Sequence, residues 1–218
     1  MIKLGFTRQR PNRILCLGAH SDDIEIGCGG TILKIVETCK DAIFHWVVLS
    51  SGQERDEEAR KSASLFLGEA GWKSVVVVKN FRDSYFPYIG LEIKDYFGQI
   101  KKDFTPDLIL THYRNDLHQD HRTVSELTWN IFRDHLILEY EIPKYDGDFG
   151  TPNFFVHLNE SMARRKVAHI LDTFRTQQGQ DWFDEETFLA VLKLRGIESH
   201  SPTKYAEAFF CRKIILDS

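Results

Sequence analysis

The sequence predicts an α/β fold: a mostly parallel sheet flanked by helices, in a single domain over residues 1–218. Three observations predict it. Short apolar runs of strand length alternate with longer amphipathic stretches, the order expected of βαβ units. The runs are apolar nearly throughout instead of alternating, as strands are when helices cover both faces of the sheet. A chain of 218 residues is long enough for a core without disulfides, and it contains no internal repeat and no Gly/Ser or Pro linker.

Each element has its own reason. Residues 14–19 are a strand-sized apolar run ending in Gly18 and Ala19. Gly27, Gly29 and Gly30 then punctuate the chain, and from Thr31 a helical stripe begins with Ile32, Ile35, Val36 and Cys39. Residues 43–50 are β-branched and aromatic, a second strand. Residues 55–67 form a charged amphipathic helix stopped by Gly68. A third strand over 75–79, a helix over 91–102 and a fourth strand over 107–111, after Pro106, continue the alternation. The second half is less regular. It reads as a helix over 120–134, strands over 136–142 and 153–157, helices over 160–173 and 185–194, and a closing strand over 206–215. Residues 145–152, with two Gly and a Pro, read as a loop.

Composition narrows the function classes. With 28 Lys and Arg against 32 Asp and Glu, the net charge is −4, which argues against nucleic-acid binding by bulk electrostatics. No apolar run approaches the roughly 20 residues of a membrane span. Residues 1–13 mix Lys3, Arg8, Arg10 and Arg13 with few apolar residues, so no signal peptide is expected. Cys16, Cys28, Cys39 and Cys211 are scattered without a C-x-x-C pair, as reduced buried thiols are. A cytoplasmic protein is the expectation. Homo-oligomerisation is left open.

The first chemical cluster follows the first strand: His20, Ser21, Asp22 and Asp23. Ligands of open α/β sheets bind outside the carboxyl ends of the strands. Ionisable groups crowded there are costly unless solvated, paired or bound to a cation. His and Asp are ordinary zinc ligands, and of two adjacent carboxylates one can bind a metal while the other acts as general base. The plainer reading makes Asp22 a helix N-cap and His20 a core histidine. Gly27-Cys28-Gly29-Gly30 suggests a phosphate turn, but the G-x-G-x-x-G spacing is not met, which disfavours a dinucleotide.

The second cluster follows the fourth strand, with His112, Asp116, His118, Asp120 and His121 within ten positions. His118 and His121, three apart at a helix start, share one face. One imidazole can bind a metal while the other stands beside it as an acid or hydrogen-bond donor. Asp120 and Asp116 are candidates to orient the imidazoles. The plainer reading is a polar, solvated loop. Taken together, the clusters supply two His, one Asp and a spare carboxylate, the inventory of a hydrolytic zinc site.

Further candidates are less specific. Residues 81–88 mix aromatic and charged groups, as a sugar-stacking loop would, or a hydrophobic lid or subunit contact, and Tyr140, Tyr145 and Phe149 pose the same choice. His112, His157 and His200 are additional polar candidates. His45 and His169 read as structural, and Arg164, Arg165 and Lys166 as one solvated helix face.

With these residues in hand, the sequence resembles the PIG-L/LmbE-like N-acetylglucosaminyl deacetylases. That family carries A-H-P-D-D-E, then G-C-G-G-T, and later H-x-D-H. Here the segments read Ala19-His20-Ser21-Asp22-Asp23-Ile24, Gly27-Cys28-Gly29-Gly30-Thr31 and His118-Gln119-Asp120-His121. Tyr205-Ala206-Glu207-Ala208-Phe209 matches the family's closing Y-A-E-A-F, and Arg55, Glu58 and Leu67-Gly68 approximate its R…E…LG helix. Ser21 stands for the family's Pro and Ile24 for its Glu.

The resemblance implies a Rossmann-like fold and zinc-dependent removal of the N-acetyl group from an N-acetylglucosamine-type amino sugar or conjugate, releasing acetate. It implies His20, Asp23 and His121 as metal ligands, and Asp22 as general base. His118 would stabilise the oxyanion or protonate the leaving amine, and Arg55 would contact substrate. A His₂Asp set suits Fe²⁺ as well as Zn²⁺. The competing readings are the same chemistry on another sugar-linked amide, a non-catalytic metal- or sugar-binding domain, and a nucleotide-binding Rossmann domain. The aglycone is not specified: nucleotide, lipid, glycan and antibiotic precursor all fit.

Overall fold

A computed structural model describes residues 13–215 of the chain, so the leader expectation for residues 1–12 lies outside the described residues. Seven strands form one sheet: β1 (Arg13–Gly18), β2 (Ile43–Val48), β3 (Val75–Val78), β4 (Leu108–His112), β5 (Leu136–Tyr140), β6 (Phe154–Leu158) and β7 (Tyr205–Cys211). Six α-helices flank it: α1 (Asp23–Thr38), α2 (Gln53–Leu67), α3 (Gly90–Asp103), α4 (Gln119–Ile131), α5 (Glu160–Thr173) and α6 (Glu185–Glu198). Among the described residues no helix is long and apolar enough to cross a membrane.

The strand order is β3-β2-β1-β4-β5-β7-β6. The first five strands are parallel, while β7 runs antiparallel to both β5 and β6. From β1 the chain builds outward to β2 and β3, then returns to lay β4 and β5 on the other side. The order therefore reverses between β1 and β4, and the crevice outside their carboxyl ends is where such sheets bind ligands. His20 follows β1 and His112 ends β4.

Successive side chains on β1 face opposite layers. Ile14 and Cys16 join Phe44, Trp46, Phe66, Tyr140 and Ile170 in the core under α1, α2, α5 and α6. Leu15 and Leu17 join Val47, Ile93, Phe97, Ile109 and Phe132 in the core under α3 and α4. Tyr140 is fully buried and donates its hydroxyl to the Leu17 carbonyl at 2.6 Å, so it is a core residue and contributes nothing to a substrate platform.

Three sequence expectations are corrected. The first helix starts at Asp23, eight residues before Thr31, and the glycines lie inside it. They are packing positions: a Cβ on Gly27 would fall 2.1 Å from the Tyr140 ring, and one on Gly29 2.5 Å from Phe66. The closing strand ends at Cys211 instead of continuing to 215. Lys166 leaves the solvated face of Arg164 and Arg165 and is buried against Glu207, with its Nζ 2.6 Å from Oε1. Of the cysteines, Cys16 and Cys28 are buried, Cys39 and Cys211 are partly exposed, and none of the four forms a disulfide.

Candidate active site

β1 delivers His20 to the crevice, and α1 begins three residues later with Asp22 as its N-cap and Asp23 as its first residue. The Asp23 carboxylate accepts the His20 amide at 2.6 Å, which closes this turn. From the other side of the switch point, His118 caps α4, its Nδ1 accepting the Asp120 amide at 3.3 Å, and His121 follows one turn into that helix. The two clusters, about a hundred residues apart in sequence, meet here. His20 Nδ1 lies 3.2 Å from His121 Nε2 and 3.4 Å from Asp23 Oδ2, and His121 Nε2 lies 3.5 Å from Asp23 Oδ1.

Outer partners decide where the imidazole protons sit. His121 Nδ1 is 2.9 Å from Asp116 Oδ2, and a carboxylate only accepts, so Nδ1 donates and Nε2 turns a lone pair inward. His20 Nε2 is 3.1 Å from Asp83 Oδ1, so it donates outward and Nδ1 turns its lone pair inward. When both imidazoles are neutral, two nitrogen lone pairs and a carboxylate face one another, a donor set that suits a cation. The separations suit a small one. Metal–ligand bonds of 2.0–2.2 Å in a tetrahedral zinc site put ligand atoms about 3.3–3.6 Å apart. His20, His118 and His121 also converge within 4.8 Å, as do Asp23, His112 and His121.

The surrounding carboxylates favour a positive charge here, carried by a proton on the imidazoles or by a metal ion. Burial pushes the Asp23 carboxyl up, but the imidazoles of His121, His112 and His20 outweigh it and hold it well below the carboxylate range. Burial alone would lower His20 and His121, yet Asp23 and their outer carboxylates raise both. The His20 hydrogen bond lowers Asp83 to about 2. Lys144 donates to Asp116 Oδ2 at 3.0 Å and to Asp148 Oδ1 at 2.7 Å, extending the chain behind His121.

Asp22 makes its contact with Arg55 and not with the three converging atoms. Its Oδ1 accepts from Arg55 at 2.9 Å, so α2 supplies its partner. Burial raises the Asp22 pKa, and Arg55 opposes the shift without cancelling it. Asp120 serves chiefly as a loop anchor. Its oxygens accept the amides of Ser84 (2.7 Å) and Phe86 (3.1 Å), while His20 Nε2 is farther, at 3.4 Å. The anchored segment holds Asp83 against His20, with Ser84 in the left-handed region at φ 63°. Tyr85 and Tyr88 on it are solvent-exposed, as are Tyr145 and Phe149 beyond β5.

Sequence reasoning missed Asp83, Lys144 and the full part played by His112. His112 is buried, its Nε2 accepts the Ala19 amide at 2.9 Å, and its ring stacks on His121 at 3.9 Å. Burial lowers its pKa to about 4. The available signal was position: Asp83 and His112 both sit at or beyond the carboxyl end of a strand. His157 and His200 belong to none of the converging groups among the described residues.

Known proteins share this framework. The profile of the family described as "PIG-L: GlcNAc-PI de-N-acetylase" matches residues 15–132, which span β1 through α4 and contain His20, Asp22, Asp23, Asp116, His118 and His121. The uncharacterized deacetylase YaiS of Escherichia coli (strain K12) is 28% identical over 173 residues, covering 72% of this chain and 88% of YaiS. The N,N'-diacetylchitobiose deacetylase of Pyrococcus horikoshii superposes with a TM-score of 0.69 at 22% identity, covering 95% of this chain and 87% of its own. GalB, the 4-carboxy-2-hydroxymuconate hydratase of Pseudomonas putida KT2440, superposes at 0.72 with 18% identity, covering 95% and 98%. At these identities the two solved structures speak for the fold alone. The family profile spans more than half of the chain, and the chain belongs to the PIG-L family of de-N-acetylases.

Proposed function

We propose that this chain is a divalent-metal-dependent hydrolase that removes the N-acetyl group from an N-acetylglucosamine-type amino sugar or its conjugate, releasing acetate. The observation that carries this reading is the convergence of His20 Nδ1, His121 Nε2 and the Asp23 carboxylate, with Asp22 next to Asp23 at the start of α1. These three side chains would hold the metal, with Zn²⁺ and Fe²⁺ both suited to the donor set. When bound, the ion supplies positive charge that polarises the amide carbonyl and makes water more acidic.

The chain's own residues do the rest. Arg55 occupies Oδ1 of Asp22, so Oδ2 is the atom that accepts the proton of the attacking water. Burial raises the proton affinity of Asp22, which suits a general base. His118 receives the Asp120 amide on Nδ1, so its proton sits on Nε2. Burial lowers its pKa, and a neutral N–H of this kind hydrogen-bonds the developing oxyanion. As the C–N bond breaks, the proton taken up by Asp22 passes to the leaving nitrogen, giving acetate and a free amine. In this reading Arg55 and the exposed Tyr85 and Tyr88 would meet the sugar.

The test is metal content measured together with acetate release from free, nucleotide-linked and lipid-linked N-acetylglucosamine. Stoichiometric metal with release from one member supports the reading. Metal without release shifts it to another sugar-linked amide. No metal after reconstitution removes it and favours a binding domain.

A further inference from the structure

Glu207, in the closing Tyr205–Phe209 motif, lies far from the crevice in sequence, yet its carboxylate enters the middle of α1. Oε1 accepts the Gly30 amide at 2.7 Å and Oε2 the Thr31 amide at 2.6 Å. Lys166 from α5 completes the contact, donating to Glu207 Oε1 at 2.6 Å and to the Ile26 carbonyl at 2.7 Å. In an undisturbed helix the Gly30 amide would pair with the Ile26 carbonyl four residues back. Here the amide is engaged by one member of an ion pair and the carbonyl by the other. Both residues are 3% exposed. Gly30 makes the approach feasible, since a Cβ there would lie 3.0 Å from Glu207 Oε1 and 2.4 Å from a Leu158 methyl.

An ion pair buried this deeply is poor value for stability alone, because desolvation offsets much of the attraction. Its placement suggests another use. The carboxylate caps the second half of α1 as an N-cap would, and the ammonium caps the first half at its carboxyl end. The first half, two turns long, begins at Asp23 and carries Asp22 on its cap. The direction of those two turns decides where both carboxylates stand relative to His20 and to His121 on α4.

We infer that Glu207 and Lys166 are positioning residues: their ion pair, clamped across α1, sets the first half of the helix so that Asp23 meets His20 and His121 and Asp22 faces the substrate. The inference rests on the proposed metal-dependent hydrolysis but concerns a different part of the molecule.

The test uses Glu207→Gln, Lys166→Met and their double variant in the full chain, with Val167→Ala, a buried neighbour on α5, as a control for lost stability. Two quantities are read at a temperature where every variant is folded: Zn²⁺ affinity by competition with a chromophoric chelator, and hydrogen exchange of residues 24–31. The expected result is a loss of about tenfold or more in affinity in each single variant, in the range seen when groups behind metal ligands are removed. The double variant should lose about as much as either single one, as a pair acting as a unit does. Exchange over 24–31 should quicken in all three, while Val167→Ala changes neither quantity beyond about twofold. Variants that melt earlier but keep wild-type affinity and exchange would show a structural role only and overturn the inference. A wild-type chain that binds no metal overturns the ligand set and this inference with it. A wild-type chain that binds metal but releases no acetate removes only the reaction.

Discussion

Asp116 Oδ2 lies 2.9 Å from His121 Nδ1 and fixes that imidazole with its other nitrogen turned inward. The same oxygen takes the Lys144 ammonium at 3.0 Å, so the carboxylate orienting the histidine is itself held by a charge. Burial pushes the Asp116 carboxyl up, but the His121 hydrogen bond and the charges of His121, His112 and Lys144 outweigh it and keep it ionised. Behind His121 there is thus a relay of three charged groups, Asp116, Lys144 and Asp148.

That relay predicts the effect of removing it. Asp116→Asn and Lys144→Met should each weaken metal binding about 10–100-fold, the cost usually seen when a group behind a ligating histidine is lost. Competition titration with a chelator measures this directly. Wild-type affinity in both variants would mean that His121 needs no outer partner.

Asp22→Asn should separate binding from chemistry. Asp22 bonds Arg55 and is not one of the three converging groups, so the variant should retain metal at wild-type stoichiometry. Turnover should fall about 10²–10⁴-fold if Asp22 is the general base. Metal analysis and an acetate assay on the same sample decide it, and full activity would remove Asp22 from the mechanism.

Gly27→Ala should destabilise the fold without touching a polar group. The added methyl would meet the Tyr140 ring at 2.1 Å, and Tyr140 cannot swing away without losing its bond to the Leu17 carbonyl. Overpacking of this kind costs about 1–3 kcal/mol. Urea unfolding would show it, and a neutral substitution would mean that α1 can back away from β5.

His45 on β2 predicts a pH effect outside the site. Burial lowers its pKa, with Asp103 opposing, so the folded chain keeps the ring neutral where the unfolded chain begins to protonate. The unfolded state then binds more protons as pH falls through about 6.5, and acid costs stability in that window. His45→Phe removes this term. Wild-type stability should therefore fall more steeply than that of the variant between pH 7 and pH 5, and parallel unfolding curves would count against the assignment.

Much was legible from the residues alone, for a local reason. Strand-length apolar runs separated by amphipathic stretches are dictated by hydrogen bonding and burial within a few residues, and they announced all seven strands and all six α-helices, though not the start of α1 or the end of β7. The His20–Asp23 and His118–His121 segments were equally visible, because ligand chemistry is carried by residue type and short spacing. The glycines were misread because a helix tolerates Gly only where something packs against it. What packs there, Tyr140, Phe66 and Leu158, comes from other parts of the chain.

The same reason limits the rest. Local sequence could place two clusters at strand ends, but their meeting depends on the strand order reversing between β1 and β4, which only the assembled sheet decides. Which imidazole nitrogen faces inward depends on Asp83 and Asp116, one of them from a loop that Asp120 ties down. That Lys166 leaves its charged neighbours to join Glu207 against α1 depends on β7 entering the sheet between β5 and β6 beside that helix. Residue type and spacing set the chemistry available. Long-range packing, by fixing distances and protons between groups far apart in the chain, set what that chemistry can be used for.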